Sequence, residues 1–124
     1  AGIFDMVDAL GQRRGAEALR LLRGLLDGGD EPLRVFGMIV RQYRLLIQMK
    51  EQLERGQTPA SAAKIIEVHP YVAGLLAGQA QVYSTATLER IYHHLLDVDL
   101  EMKTGKVEPT LALEALIVLL AGQG

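Results

Sequence analysis

The sequence predicts an all-α fold, a single bundle of about seven helices around one long central helix. Apolar residues recur at helical spacing through most of the 124-residue chain, and no segment shows the strict alternation of a half-buried strand. Glycine and proline interrupt this pattern, so the predicted connections are short. We therefore expect residues 1–124 to form one helical domain with a shared core.

The predicted central helix runs from Glu31 to Arg55. Asp30 is its expected N-cap, Pro32 lies in the first turn, and Gly56 is placed to end it. Apolar residues cover most of its circumference, which is typical of a helix surrounded by other helices. They are Val35, Phe36, Met38, Ile39, Val40, Tyr43, Leu45, Leu46, Ile47, Met49 and Leu53.

Two shorter helices are predicted before the central helix, over residues 3–10 and 16–27. Gly11 can end the first, and the Gly28-Gly29 pair can end the second. In both segments the apolar residues lie at helical spacing, so each is expected to bury one face against the bundle.

Four helices are predicted after the central helix. Thr58-Pro59 has the N-cap-then-proline pattern of a helix start, and the break at Val68-His69-Pro70 separates that helix from one over 70–83. Ser84 is the expected N-cap of a long helix that Lys103-Thr104-Gly105 closes. Glu108-Pro109 then begins a final helix that is apolar on nearly all sides.

Composition excludes several classes of function. The chain has no cysteine, which rules out disulfides and thiolate metal sites, and its formal net charge of -2 creates no field that would attract nucleic acid or anionic lipid. The longest apolar run, Ala115 to Ala121, is far shorter than the roughly 20 residues that span a bilayer. We therefore expect a cytoplasmic domain without membrane attachment.

The segment 58–83 has the length and the break of a helix-turn-helix, so a helical nucleic-acid-binding domain is the alternative function. A DNA-reading helix needs cations for phosphates and polar side chains for base edges. Residues 69–83 contain neither lysine nor arginine, which favours two packed core helices instead.

Nothing in the sequence indicates catalysis, a metal or a cofactor. His93 and Asp97 are neighbours on one helix face, but a metal site needs three or four converging ligands, and a solvated face is the simpler interpretation. No glycine-rich phosphate-binding motif is present. We predict a chain that is not an enzyme.

Two features point to contact with other proteins. The final helix carries Leu111, Leu113, Leu116, Ile117, Leu119 and Leu120 on more than one side, so it is either enclosed in the core or covered by a partner. The central helix, which is otherwise largely apolar, carries a polar cluster of Arg41, Gln42 and Arg44. This cluster is compatible with the polar edge of a protein interface and equally with a solvated strip.

Five sequence segments, spread over nearly the whole chain, match the segments of a known family in their order and spacing. They are IFDMVDALGQRRGAEAL, EPLRVFGMIVRQYRLLIQMKEQLERG, HPYV, LDVDLEMKTG and PTLALE. The chain resembles the C-terminal domain of the bacterial DNA polymerase III delta subunit. The last helix departs from the family pattern, because Glu108 stands where related sequences tend to have aspartate, and this predicts a poorer cap.

The resemblance implies a clamp-loader component of the bacterial replisome. In that family two N-terminal AAA+-type domains precede this one, and the first of them engages and opens the sliding clamp. The C-terminal helical domain joins the ATPase (gamma/tau) subunits and delta prime in a five-membered collar. The resemblance therefore implies an assembly domain that neither hydrolyses ATP nor binds DNA directly, although its parent complex serves a DNA polymerase.

The resemblance does not define which residues form the collar interface. From the sequence we select as candidate partner-binding residues Arg41, Gln42 and Arg44 on the central helix, together with Lys103 and Gly105 at the end of the sixth helix.

Overall fold

Seven α-helices make up the regular structure of residues 2–122, the part of the chain that this computed structural model describes. They are α1 (Gly2–Gly11), α2 (Gly15–Asp27), α3 (Pro32–Glu54), α4 (Pro59–Ile66), α5 (Pro70–Ala80), α6 (Thr85–Lys103) and α7 (Pro109–Ala121). There is no β-strand between residues 2 and 122. The predicted all-α fold is confirmed.

Helix α3 is the centre of the bundle, as its sequence predicts. It contacts each of the other six helices, and this explains why apolar residues cover most of its circumference. Its buried residues are Val35, Phe36, Ile39, Gln42, Tyr43, Leu45, Leu46 and Met49. They join the buried side chains of the other helices in one connected core.

The start of α3 differs from the prediction. The N-cap is Glu31, whose side chain makes no capping hydrogen bond, and the carboxylate of Asp30 instead lies 3.9 Å from the guanidinium of Arg34. Pro32 occupies the first turn as expected, and its fixed φ and missing N–H suit that position without a side-chain cap.

Helix α5 ends earlier than predicted, at Ala80 rather than at Tyr83. The chain turns there, with the N–H groups of Val82 and Tyr83 donating to the carbonyls of Gln79 and Ala80. Ser84 is in an extended conformation and caps α6 through a hydrogen bond from the Thr87 N–H, so the turn is needed to start the next helix.

Two tyrosines form a polar contact inside the aliphatic core. The hydroxyls of Tyr43 on α3 and Tyr83 after α5 are 3.2 Å apart, and their rings meet edge to face with centroids separated by 5.9 Å. Burial raises the pKa of Tyr43 well above its ordinary value, with a further contribution from the neighbouring phenol. Both groups therefore stay neutral at physiological pH and hold the end of α5 against α3.

A second buried polar chain links α1, α3 and α5. The side-chain amide of Gln42 donates to the side-chain oxygen of Gln79 at 2.9 Å, and the amide of Gln79 donates to the carbonyl of Phe4 at 2.9 Å. Gln42 is only 3% exposed. It therefore faces the core rather than the surface, which corrects its selection as a partner-binding residue.

The substitution Gln42→Leu is expected to destabilise the domain by about 1–3 kcal/mol, because it leaves the buried oxygen of Gln79 without a donor. The measurement is the free energy of unfolding in urea. Gln48→Leu, at an exposed position of the same helix, is the matched control and should change stability little. Equal stability of the two variants would show that the Gln42–Gln79 bond contributes nothing.

Candidate protein-interaction surfaces

The exposed side of α3 carries Arg41 and Arg44, two of the residues that the sequence predicts to bind a partner. Arg41 and Arg44 both lie in exposed positions, because the apolar residues on the opposite side of the helix turn inward to the core. Among residues 2–122 neither arginine forms an ion pair. Both guanidinium groups are therefore available to carboxylates or carbonyls of another molecule.

The other two predicted residues lie at the C-terminal end of α6, where each has a local role. The ammonium of Lys103 is 2.9 Å from the carboxylate of Asp99, one turn earlier. Gly105 has φ +74°, and its N–H donates to the carbonyl of Met102 at the helix end. These roles explain both residues within the domain, and a contact with a partner stays a prediction.

Helix α7 is buried on one side and exposed on the other, which answers the question that its sequence left open. Its inner side buries Ala112, Leu113, Leu116, Ile117 and Leu120. On the outer side Leu111 is 61% exposed, Val118 is 64% exposed and Leu119 is 43% exposed, and Ala115 lies between them. We call these four outer residues the α7 face.

A shallow groove of about 320 Å³ extends the α7 face towards α6. Its lining is mostly apolar and includes Val98 and Val107, with His94 and Glu101 at its polar edges. The groove and the α7 face together form an apolar surface with few polar groups, of the kind that the centre of a protein interface has.

The N-terminus of α7 is fixed by Glu108. Its carboxylate accepts hydrogen bonds from the N–H groups of Thr110 and Leu111, at 3.0 and 2.9 Å. These backbone hydrogen bonds, which favour the charged form, lower the pKa of Glu108 below its ordinary value. The expected poor cap is therefore corrected, because the longer glutamate side chain reaches both donors.

The helix pair α4 and α5 has little of the chemistry that duplex DNA requires. Lys64 is the only lysine or arginine in the segment 58–83, and the exposed side of α5 carries Tyr71 and Leu75. The His69 ring caps α5, because it accepts a hydrogen bond from the Tyr71 N–H. With Lys64 as its one lysine or arginine, this surface can neutralise few phosphates, so the geometry does not favour the nucleic-acid alternative.

The described residues contain no cluster that could hold a metal. Between residues 2 and 122 no three histidine, aspartate or glutamate side chains converge. His93 and Asp97, which the sequence places one turn apart, are both exposed on α6. None of the seven helices is long and apolar enough to cross a membrane.

The helix arrangement first defines the class of protein, an all-α bundle in which one central helix contacts all the others. The model of the family "DNA polymerase III delta subunit, C-terminal domain" matches residues 1–120. The chain therefore belongs to this family.

Relatives from one bacterium agree with this assignment. The DNA polymerase III subunit delta of Bacillus subtilis (strain 168) is 33% identical over 118 residues, which are 95% of this chain and 34% of that protein. The solved structure of the Bacillus subtilis DNA clamp loader delta protein (YqeN) superposes with a TM-score of 0.92 at 32% identity, over 98% of this chain and 36% of that one. The chain thus spans about a third of the length of the proteins that it matches.

The cap of α7 predicts a pH-dependent contribution to stability. Because folding lowers the pKa of Glu108, the ionised cap stabilises the fold above the ordinary value of 4.5, and this contribution is lost as the pH falls through the lowered folded-state pKa. Glu108→Gln should have a lower melting temperature than wild type at neutral pH, and the difference should vanish in acid.

Thermal unfolding followed by circular dichroism from neutral pH to well below pH 4.5 measures this difference. Glu89→Gln, which removes an exposed carboxylate within α6, is the control for loss of a surface charge. A constant difference between Glu108→Gln and wild type at every pH would contradict the role of the charged cap.

Proposed function

We propose that this chain is the non-catalytic assembly domain of the delta subunit of a bacterial DNA polymerase III clamp loader. The domain holds delta in a pentameric collar, so that the complete complex can load the sliding clamp during DNA replication. The observation that carries this proposal is the exposed α7 face, in a chain that belongs to the delta C-terminal family.

Covering the α7 face with a partner would favour assembly, because it removes apolar side chains from water. Fully burying one leucine or valine side chain contributes about 1.5–3 kcal/mol, so covering the three branched residues would contribute several kcal/mol. Association costs an estimated 4–15 kcal/mol in lost freedom of motion, which means that this face needs further contacts around it. Arg41 and Arg44 are suitable for such contacts, because exposed charges steer encounters and select partners.

The proposed partners are the ATPase (gamma/tau) subunits and delta prime, both reached through the collar. Contact with the sliding clamp belongs to the AAA+-type part of the delta subunit, which lies outside this chain. The domain has no proposed cofactor and no proposed contact with DNA. Its proposed location is the bacterial cytoplasm, at the replisome.

The variant Val118→Glu tests the α7 face. A charge at this position should abolish or strongly weaken association with the ATPase subunit from the same bacterium, because burying an unpaired carboxylate in an apolar interface is costly. Sedimentation velocity of the chain, alone and mixed with that subunit, measures the association.

The control for Val118→Glu is Ile65→Glu, which makes the same type of change at an exposed residue of α4. It should leave the complex intact. Assembly by Val118→Glu as strong as that of wild type would exclude the α7 face from the interface. The absence of any complex with wild type, in this chain and in the full subunit, would reject the proposed function.

The double variant Arg41→Glu/Arg44→Glu is expected to weaken the same association and to leave the helical circular dichroism unchanged, because both side chains are exposed and unpaired within the described domain. The measurement is the dissociation constant at low and at moderate salt. Lys64→Glu on α4 serves as the control for a reversed surface charge. An unchanged dissociation constant would remove the two arginines from the interface.

A further inference from the structure

The helices of the bundle fall into two groups according to how extensively they pack. Helix α2 packs most extensively on α1 and α7, whereas α3 packs most extensively on α4, α5 and α6. The largest helix pairings all lie inside one group or the other, and the pairings that join the groups are smaller. We call α1, α2 and α7 the terminal unit, and α3, α4, α5 and α6 the central unit.

A single side-chain hydrogen bond joins a helix of one unit to a helix of the other within residues 2–122. The amide of Gln79 on α5 donates to the carbonyl of Phe4 on α1 at 2.9 Å. The other polar contacts between helices stay inside a unit, as with Arg23 of α2 and Glu114 of α7. The rest of the boundary is closed by apolar side chains of the shared core, whose attraction is not directional.

Grooves follow the outside of this boundary. One of about 430 Å³ separates α1 from α5, and the groove of about 320 Å³ described above lies between α6 and α7. A third, of about 460 Å³, lies where α2 and α7 meet the start of α3. Fewer atoms therefore oppose one another along the edge of the boundary, and a displacement there costs little in lost packing contacts.

The chain crosses the boundary twice within residues 2–122, and each crossing contains a glycine with positive φ. Gly29 lies between α2 and α3 at φ +102°, and Gly105 lies between α6 and α7 at φ +74°. A Cβ atom built on either glycine would meet nothing within 4 Å, so no neighbouring group packs against these two positions. Both connections can therefore absorb changes in backbone angles, as hinges do.

We propose that the terminal unit opens against the central unit as one cooperative body, with hinges at Gly29 and Gly105. The Gln79–Phe4 hydrogen bond and the apolar core hold the units in the closed position. Opening by units, rather than helix by helix, follows from the packing, because α2 loses less by leaving α3 than by leaving α1 and α7.

This motion changes the spacing of the surfaces described above. The α7 face lies on the terminal unit, whereas Arg41 and Arg44 lie on the central unit. A molecule that covers both surfaces therefore favours one relative position of the units. The opening is a property of the chain alone, so the inference does not rest on the proposed function.

Native-state hydrogen exchange of the chain, at urea concentrations below the unfolding transition, tests the inference. Amides of α1, α2 and α7 are expected to exchange through one common opening, with a weaker urea dependence than global unfolding has. Amides of α3 are expected to exchange only through global unfolding. One opening shared by all seven helices would overturn the inference, and so would exchange of α2 together with α3 while α1 and α7 fray separately.

The variant Gln79→Met tests the bond between the units, because methionine has a similar length but cannot donate to the Phe4 carbonyl. It should accelerate exchange in the terminal unit about tenfold. Ala63→Gly is the control, since this buried residue lies on α4, which packs on α3 and α5. It should accelerate global unfolding and leave the opening of the terminal unit unchanged.

The outcomes distinguish this inference from the proposed function. If the terminal unit does not open separately while Val118→Glu prevents assembly, the inference is overturned and the proposed function stands. If α1, α2 and α7 open together while the wild-type chain and the full subunit form no complex, the inference stands and the proposed function fails.

Discussion

The structure depends on the burial of α3, which contacts all six other helices. A helix in this position needs apolar residues over most of its circumference, and it orders its neighbours through them. The polar exceptions are paired inside the core, Gln42 with Gln79 and Tyr43 with Tyr83, and both pairs join α3 to α5 or to the turn that follows it. These hydrogen bonds are directional, so they set how α5 is rotated and which of its residues face outward.

The surfaces of the domain follow from this arrangement. Helices at the periphery pack against the bundle on one side only, so α7 and α5 each keep an outer side. On α7 that side is apolar, and on α5 it is open at two glycines beside acidic residues of α1. These two outer sides therefore differ in chemical character, although both belong to helices at the periphery of the same bundle.

Local signals allowed most of the fold to be predicted. Pro32, Thr58 and Ser84 stand at helix starts, and Gly105 adopts the positive φ that ends α6, because these effects depend only on adjacent backbone groups. The prediction of Asp30 as a cap was wrong, since Asp30 and Glu31 are adjacent acidic residues before Pro32 and the sequence alone does not show which of them stands at the N-cap. For the candidate site the prediction was weaker, because Gln42 and the arginines beside it are alike in polarity, and their spacing alone does not show which one turns inward.

By itself the sequence determined the all-α class, the seven helices and the family, since helical periodicity, terminal residues and ordered blocks are properties of the chain. Only the tertiary structure decided which apolar residues remain exposed to solvent. Leu111 and Leu113 look the same in the sequence, yet one is exposed and the other is fully buried. The physical reason is that the rotation of a helix against its neighbours depends on long-range packing, and periodicity cannot settle that rotation for a helix that is apolar on nearly all sides.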